Sequence, residues 1–212
     1  MLEIEVIQEQ QLPGAKKGKS VALASYREPK DQAVSYLSRE ELRKILGVSD
    51  ASYRLAWLLC YETASRISEA LEIRFDDLDL ETSRLKIPTL KQRSKTFRLI
   101  KISDTLKALI LQAQLTDKHP KNGYILKRRS RSSYNYAFIR FAEKIGIERE
   151  RAHPHVLRHS RAIHLLDSGA NIILVANALG HKNIKSTLIY LRYSNRELDE
   201  ALQKANEDFL IR

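Results

Sequence analysis

The sequence predicts an α+β fold that is mainly α-helical and carries one small antiparallel sheet. Apolar residues recur at intervals of three or four over most of the 212-residue chain, which is the spacing of amphipathic helices. Two neighbouring stretches alternate apolar and polar residues instead, which is the pattern of paired strands. Hydrophobic residues make up 43% of the chain, enough to fill the core of one domain.

The first 35 residues (1–35) are predicted to be a basic tail or arm. They contain Pro13-Gly14 and the run Lys-Lys-Gly-Lys at 16–19, and they show little apolar periodicity. Residues 36–212 are predicted to form the single compact domain. Its last segment, 195–212, has apolar residues on one helical face, which packs either on this chain's own core or on a neighbouring protomer.

The domain is predicted to open with helices. Ser38 and Glu41 have the spacing of a capping box, and apolar residues follow at helical spacing as far as Gly47. A second helix is predicted over residues 53–63, and a short third helix through Leu71 and Ile73.

A β-hairpin is predicted next, with strands at 84–90 and 96–102. The loop between these strands is polar and basic, and a hairpin of this kind can enter a groove of DNA. Two cations of this loop are candidate DNA contacts: Arg93 and Lys95.

The remainder of the domain is predicted to be helical. Apolar spacing marks five segments, at 103–115, 133–145, 155–168, 171–179 and 183–193. Glycines follow three of these segments and are the expected helix stops: Gly146, Gly169 and Gly180.

The composition favours a nucleic acid as the partner. Lysine and arginine number 37 against 26 acidic residues, which gives a formal net charge of +11. Such an excess attracts a polyanion through phosphate contacts and counterion release, although a solvated basic surface has the same composition. The densest positive patch is predicted either to contact DNA phosphates or to be a solvated loop, and it consists of Lys127, Arg128, Arg129 and Arg131.

Cysteine usage and hydropathy predict a protein of the cytoplasm. Cys60 is the single cysteine, so it has no partner for an internal disulfide, and it lies in an apolar run where burial is expected. No stretch reaches the 18 apolar residues of a membrane span, and no pattern of a secretory signal is present. We therefore expect a DNA-associated cytoplasmic protein without a membrane partner.

Six side chains in fixed order have the chemistry of phosphoryl transfer. Cations stabilise the charge of a phosphodiester transition state, and a hydroxyl nucleophile needs proton acceptors and donors nearby. His155 and Arg158 are three residues apart, which places them on the same face of one helical turn. Glu69, three residues after Arg66, is suited to orient that guanidinium. The candidate catalytic residues are Arg66, Lys91, His155, Arg158, His181 and Tyr190.

A metal site is the competing interpretation of the histidines at 153, 155 and 159. No cysteine or well-spaced carboxylate completes such a site, and Arg158 on the same turn would repel a cation. We expect no metal and no other cofactor. His153, His159 and His164 are assigned structural or helix-surface roles.

As a set, these motifs resemble the catalytic domain of the tyrosine site-specific recombinases, the phage integrase family. The similarity spans about residues 38–195. Its motifs are Ala64-Ser-Arg-Ile-Ser-Glu69, Lys91 in a β-hairpin, His155-Val-Leu-Arg-His-Ser160, Leu179-Gly-His181 and Ile189-Tyr190.

The resemblance implies a tyrosine recombinase, or integrase, that cleaves and rejoins DNA strands at specific sites. The implied intermediate is a 3′-phosphotyrosyl link, formed without metal or ATP. The implied partners are double-stranded DNA, a homotetramer assembled on that DNA, and accessory proteins. A non-catalytic DNA-binding protein and a type IB topoisomerase-like or resolvase-like strand-passing enzyme are the alternatives.

The resemblance also implies roles for single residues. Arg66 and Arg158 are implied to hold the scissile phosphate, Lys91 to protonate the leaving 5′-oxygen, and Tyr190 to attack. His155 is implied to assist proton transfer, His181 to donate a hydrogen bond to a phosphate oxygen, and Glu69 to support the pocket from behind.

Two of these assignments have a competing neighbour. Lys95 competes with Lys91, which we prefer because it ends the first predicted strand. Tyr193 competes with Tyr190, which we prefer because it keeps the family's interval from His181.

The sequence differs from the family in two respects. Most members carry an additional N-terminal helical domain that binds DNA, and residues 1–35 are too few to supply it, so we expect no separate N-terminal core-binding domain. Ala64 stands where the family often has glycine.

Overall fold

The computed structural model shows a mainly helical chain with one small antiparallel sheet. It describes residues 34–90, 96–116, 123–127, 129–193, 202, 203 and 206. Between residues 34 and 193 the described part of the chain forms eight α-helices, three strands and three 3-10 helices. The predicted α+β fold class is therefore confirmed.

Three helices open the domain: α1 (Arg39–Val48), α2 (Ala51–Glu62) and α3 (Ile67–Ala70). The predicted capping box begins α1, because the Ser38 hydroxyl accepts from the Glu41 N–H at 3.1 Å and the Glu41 carboxylate accepts from the Ser38 N–H at 2.7 Å. The helix α1 runs one residue past the predicted stop at Gly47.

The third helix is shorter than predicted. It ends at Ala70 because the chain then pairs with a later segment. The Phe75 N–H donates to the Gly123 carbonyl at 2.8 Å, and the Ile125 N–H donates to the Ile73 carbonyl at 3.0 Å. These bonds use backbone groups that a longer helix would have needed.

The predicted hairpin is confirmed as β2 (Arg84–Thr89) and β3 (Thr96–Lys101), each one residue shorter than expected. A third strand, β1 (Leu78–Asp79), lies antiparallel to β2 and gives the order β1-β2-β3. It was not predicted, because two residues are too few for a periodicity to be seen.

The inner face of the hairpin carries an arginine. Ile87, which is fully buried, lies directly opposite Arg98, so both side chains point to the same face. Phe97 and Leu99 point to the other face and are each 55% exposed.

Five further helices follow: α4 (Asp104–Leu115), α5 (Arg131–Glu143), α6 (His155–Asp167), α7 (Ile172–Leu179) and α8 (Lys185–Leu188). Side chains of Ser103, Ser130 and Asn171 accept hydrogen bonds at the N-termini of α4, α5 and α7. The 3-10 helices are Phe75–Asp77, Arg149–Arg151 and Ile189–Tyr193.

The predicted helix over 183–193 is divided into α8 and the last 3-10 helix. A 3-10 helix has three residues per turn, so residues three apart lie above one another. Thr187 and Tyr190 are both buried, and Tyr193, three residues further on, is half-buried. The tighter winding therefore keeps these three side chains on the side that faces the protein.

The described residues form a core of two clusters. The larger one surrounds Trp57 and includes Cys60, whose predicted burial is confirmed and raises the pKa of the thiol to about 12. The smaller cluster joins α6, α7 and the last 3-10 helix, and it contains Tyr190. A candidate nucleophile is thus part of the packed interior.

Within the described ranges no helix is long and apolar enough to cross a bilayer.

Candidate active site

The candidate residues converge from four parts of the chain onto one cleft and the interior beneath it. Arg66 and His155 line a cleft of about 490 Å³, together with Arg131 and Tyr136 at the start of α5. Arg158, His181 and Tyr190 lie on α6, after α7 and on the last 3-10 helix. Four predicted cations lie outside the described residues: Lys91, Arg93, Lys95 and Arg128.

Arg66 is held by Glu69 across the first turn of α3. Its guanidinium Nη1 donates to Glu69 Oε1 at 3.0 Å, and its N–H donates to Glu69 Oε2 at 3.0 Å. The Arg66 side chain is 25% exposed and that of Glu69 only 1%. A buried carboxylate therefore fixes a guanidinium whose other atoms face the cleft.

Glu69 also holds a second arginine. Arg98 Nη2 on β3 donates to Glu69 Oε2 at 3.0 Å, and Arg158 Nη1 lies 3.9 Å from the same oxygen. Burial opposes ionisation of this carboxyl, but Arg98, the Arg66 N–H and Arg158 together outweigh it and lower the pKa of Glu69 below its ordinary value.

Arg98 is a buried cation with unused donors. Its side chain is 9% exposed, and its Nε and Nη1 have no acceptor among the residues that the structure describes. Nη1 lies against Gly180, where an added Cβ would approach it to 3.2 Å. Burial lowers the pKa of Arg98, yet the paired Glu69 favours its charged form.

Arg158 is fixed by the main chain. Nη1 donates to the Ala64 carbonyl at 2.6 Å, and Nη2 donates to the Leu179 carbonyl at 2.8 Å. Ala64 has a φ of 50°, a left-handed conformation that glycine adopts more easily, and this conformation aims its carbonyl at the guanidinium. Burial and the neighbouring Arg66 lower the pKa of Arg158 to about 10, so it remains charged at neutral pH.

His181 follows the left-handed Gly180 that ends α7. Its Nδ1 lies 2.8 Å from the Thr187 hydroxyl on α8. Burial, and then the charges of Arg158, Arg66 and Arg98, lower the pKa of His181 to about 4. The ring is therefore neutral at pH 7.

Tyr190 contacts a histidine that was assigned a structural or helix-surface role. Its hydroxyl lies 2.7 Å from Nδ1 of His159, and the Tyr190 side chain is only 2% exposed. Burial raises the pKa of Tyr190, while Arg158 and Arg66 oppose that rise. The ring of His155, which is exposed, meets His159 edge-on with centroids 4.6 Å apart.

Tyr193, the competing tyrosine, has a different environment. Its hydroxyl accepts a hydrogen bond from the Val34 N–H, and its ring packs against Tyr36 with centroids 5.8 Å apart. These contacts join it to the start of the domain, whereas Tyr190 faces His159.

The basic patch extends this site along the surface. Lys127, Arg129 and Arg131 are exposed. Arg131 lines the cleft beside Arg66, whereas Arg129 stacks over the ring of Tyr53 and donates to its hydroxyl. The guanidiniums of Arg66 and Arg131 therefore both line the cleft.

Comparison with known proteins gives the family. A sequence model described as "Phage integrase family" matches residues 35–197, which is most of the chain. The chain belongs to the phage integrase family. The tyrosine recombinase XerA of Thermococcus kodakarensis is 32% identical over 180 residues, covering 80% of this chain and 62% of the relative. This member of the phage integrase family thus spans about three fifths of the length of the curated relatives it matches.

Solved structures agree with the assignment. The XerH site-specific recombinase, in a post-cleavage complex with a palindromic difH substrate, is 25% identical with a TM-score of 0.69 and covers 80% of this chain and 52% of that one. The catalytic domain of bacteriophage HP1 integrase is also 25% identical, with a TM-score of 0.61, and covers 80% and 94% respectively.

Two residues of this integrase-family site escaped the sequence-based prediction. Arg98 could have been found, since it shares a strand face with Ile100 in an alternating run, and an arginine on an apolar face needs a buried anion. The contact of His159 with Tyr190 joins residues 31 positions apart and has no local signal.

Proposed function

We propose that this chain cleaves and rejoins DNA strands at specific sites, with Tyr190 as the nucleophile and a 3′-phosphotyrosyl intermediate. Membership of the phage integrase family supports the reaction class. The observation that carries the assignment to residues is an excess of positive charge around Glu69, from which Arg158 and Arg66 also act on Tyr190 and oppose the rise of its pKa. Three guanidiniums surround the single carboxylate of Glu69, and an anion would balance them.

The scissile phosphate would supply that anion. Arg66 reaches it from the cleft, and Arg158 reaches it from below, with main-chain bonds holding the guanidinium in place. A preorganised cation stabilises the transition state without reorganising during the reaction. Because Tyr190 is only 2% exposed, cleavage requires the residues that cover its hydroxyl to part, so that the phosphate reaches the hydroxyl while Tyr190 keeps its contact with His159.

His181 is suited to bind a phosphate oxygen as a neutral donor. When the Thr187 hydroxyl donates to Nδ1, the proton of the neutral ring is on Nε2. His155, exposed on the cleft wall, would contact the same phosphate and assist proton transfer. These neutral and cationic donors supply what the chemistry needs, and the proposal therefore includes no metal and no other cofactor.

In the cleavage step, the Tyr190 oxygen forms a bond to phosphorus and the bond from phosphorus to the 5′-oxygen breaks. Lys91, by resemblance to the family, protonates that oxygen. The phosphodiester energy is conserved in the tyrosyl ester, so a 5′-hydroxyl from a partner strand reverses the step. Strand exchange follows when that hydroxyl belongs to a second duplex.

The proposed partner is double-stranded DNA, bound by a homotetramer and assisted by accessory proteins, in the cytoplasm. The net charge of +11 and the guanidiniums along the cleft support DNA as the partner. The segment 195–212 is proposed to pack on a neighbouring protomer. Most of that segment lies outside the described residues, and the three described positions, 202, 203 and 206, are helical.

The test is covalent trapping on a nicked DNA duplex that carries the recognition site, which is first found by binding selection. We expect an adduct with the unaltered protein and with Tyr193→Phe, and none with Tyr190→Phe. Specific binding without any adduct would identify a non-catalytic DNA-binding protein. Cleavage and resealing without exchange between two duplexes would identify a topoisomerase-like enzyme.

A further inference from the structure

The hydrogen bond between Tyr190 and His159 connects the proposed nucleophile to a base. The two partners are 2.7 Å apart, from the Tyr190 hydroxyl oxygen to Nδ1 of His159, which is a short and strong contact. Both groups are shielded, since Tyr190 is 2% exposed and His159 is half-buried. Bulk water is therefore poorly placed to take the tyrosine proton.

We propose that His159 is the catalytic base that accepts the proton of Tyr190 when the tyrosine attacks. This inference rests on the proposed function and deepens it, because the role of base moves from His155 to His159. It makes His159 a catalytic residue, since its ring nitrogen touches the reacting oxygen.

The electrostatic setting keeps the base available. Burial, followed by the charges of His155, His153 and Arg158, lowers the pKa of His159 to about 3. The ring is then neutral at pH 7, and its Nδ1 lone pair can accept from the hydroxyl. A bound phosphate anion would offset the surrounding positive charge and make the imidazole more basic when the proton has to move.

The step balances in atoms and charge. As the bond from the Tyr190 oxygen to phosphorus forms, the phenolic O–H bond breaks and its proton goes to Nδ1 of His159. The bond from phosphorus to the 5′-oxygen breaks, and that oxygen takes a proton from Lys91. Rejoining runs the same transfers backwards, with His159 returning its proton to the tyrosine.

The position of His155 makes it the natural comparison. It is exposed, it begins α6, and its ring meets His159 at 4.6 Å, on the cleft side of the pair. A residue in that position is suited to phosphate contact. The Tyr190 oxygen, by contrast, is within bonding distance of His159.

The principal experiment compares His159→Asn with the unaltered protein in single-turnover adduct formation. The asparagine carboxamide oxygen can accept near the position of Nδ1 but has negligible basicity, so it preserves the hydrogen bond and removes the base. We expect a 100-fold or larger loss of cleavage rate at pH 7, in line with the usual contribution of about 10²–10⁴ from a general base. The remaining rate should rise with pH as solvent hydroxide takes over.

A second substrate separates the base from the acid. With a 5′-bridging phosphorothiolate the leaving group needs no proton, so the rate of Lys91→Ala should recover and that of His159→Asn should not. If His159→Asn cleaves within threefold of the unaltered protein from pH 6 to 9, or faster, the proposal is overturned. If the unaltered protein forms no adduct, it is the proposed function that fails.

A measurement on the intact protein covers the case in which the variant fails to fold. Nitrogen-15 NMR of labelled histidine distinguishes the two neutral tautomers, and Tyr190→Phe identifies the His159 signals. The proposal requires the proton on Nε2 with Nδ1 accepting. A proton on Nδ1, which would make His159 the donor to the tyrosine, contradicts it.

Discussion

Glu69 is the residue on which the candidate site depends. Its carboxylate accepts from Arg66 and Arg98 and lies 3.9 Å from Arg158, with 1% of its side chain exposed. The attraction of a buried negative charge for several positive charges offsets the repulsion between those positive charges. Removing the carboxylate and removing one guanidinium should therefore have very different effects.

Substituting Arg98→Met should change the free energy of unfolding by less than about 2 kcal/mol, because the lost ion pair is offset by removing two buried nitrogens that have no acceptor in the described ranges. Glu69→Gln should cost about 3–5 kcal/mol, because it leaves buried charges without compensation. Urea denaturation of both variants tests this contrast. Equal losses would show that Glu69 does not hold the cluster together.

Two half-buried histidines, His159 and His181, make stability depend on pH. Burial lowers the pKa of each of them, to about 3 for His159 and about 4 for His181, against about 6.5 in the unfolded chain. Below pH 6.5 the unfolded state therefore binds protons that the folded state resists, and stability falls as pH falls towards those lower values. Above pH 6.5 this contribution is complete.

Urea midpoints at pH 8, 7, 6 and 5 should accordingly be level down to pH 7 and then decrease. The double variant His159→Asn, His181→Asn should show a smaller decrease of the urea midpoint below pH 7. The reason is that two groups which titrate only in the unfolded state have been removed. A midpoint that is unchanged between pH 7 and pH 5 in the unaltered protein would contradict the assignment of these rings as neutral.

At the scale of secondary structure elements, the turn after α7 restricts Gly180 in two ways. Gly180 has a φ of 69°, and an added Cβ would lie 3.2 Å from Nη1 of Arg98. The same residue ends the helix and places His181 beside Thr187. Gly47, inside α1, has neither constraint, since no atom of the residues that the structure describes lies within 4 Å of its would-be Cβ.

Alanine at these two glycines should therefore act in opposite directions. Gly180→Ala should destabilise the protein by about 1–2 kcal/mol, the cost of a left-handed conformation for a residue with a Cβ. Gly47→Ala should stabilise it by about 0.5–1 kcal/mol, because alanine is the better helix former. Thermal unfolding of the pair measures both, and a stabilising Gly180→Ala would refute the described turn.

Most elements could be predicted because their signals are local. The capping box of Ser38, the alternation in β3 and the glycine after α7 each depend on residues within one or two turns. The strand β1 and the division of 183–193 depend on contacts between distant segments, such as the burial of Thr187 and Tyr190. The same limit applies in the site, where motifs predicted the phosphate-binding residues but the partner of Tyr190 depends on the packing of α6 against the last 3-10 helix.

At the scale of the whole molecule, the net charge of +11 predicts DNA binding that weakens steeply as the salt concentration rises. Each phosphate contact contributes about −0.9 to the slope of log K against log salt concentration. Arg131 lines the cleft, so Arg131→Gln should reduce the magnitude of the slope by about 0.9 on any duplex. Fluorescence anisotropy titrations at several salt concentrations measure it.

Arg149→Gln is the matched control, because it makes the same charge change elsewhere. Arg149 pairs at 2.9 Å with Glu143, which ends α5 about 18 Å along the helix axis from Arg131. For Arg149→Gln, the slope of log K against log salt concentration should match that of the unaltered protein. Equal reductions in both variants would mean that the cleft has no special part in DNA binding.

Tyr190 is proposed to form the covalent bond to DNA, and mass spectrometric mapping of the trapped adduct tests that proposal most directly. After digestion with nuclease and protease, the peptide containing Tyr190 should carry a nucleotide joined through its 3′-phosphate, and the released strand should have a free 5′-hydroxyl. A nucleotide on Tyr193, or a link through a 5′-phosphate, would contradict the account.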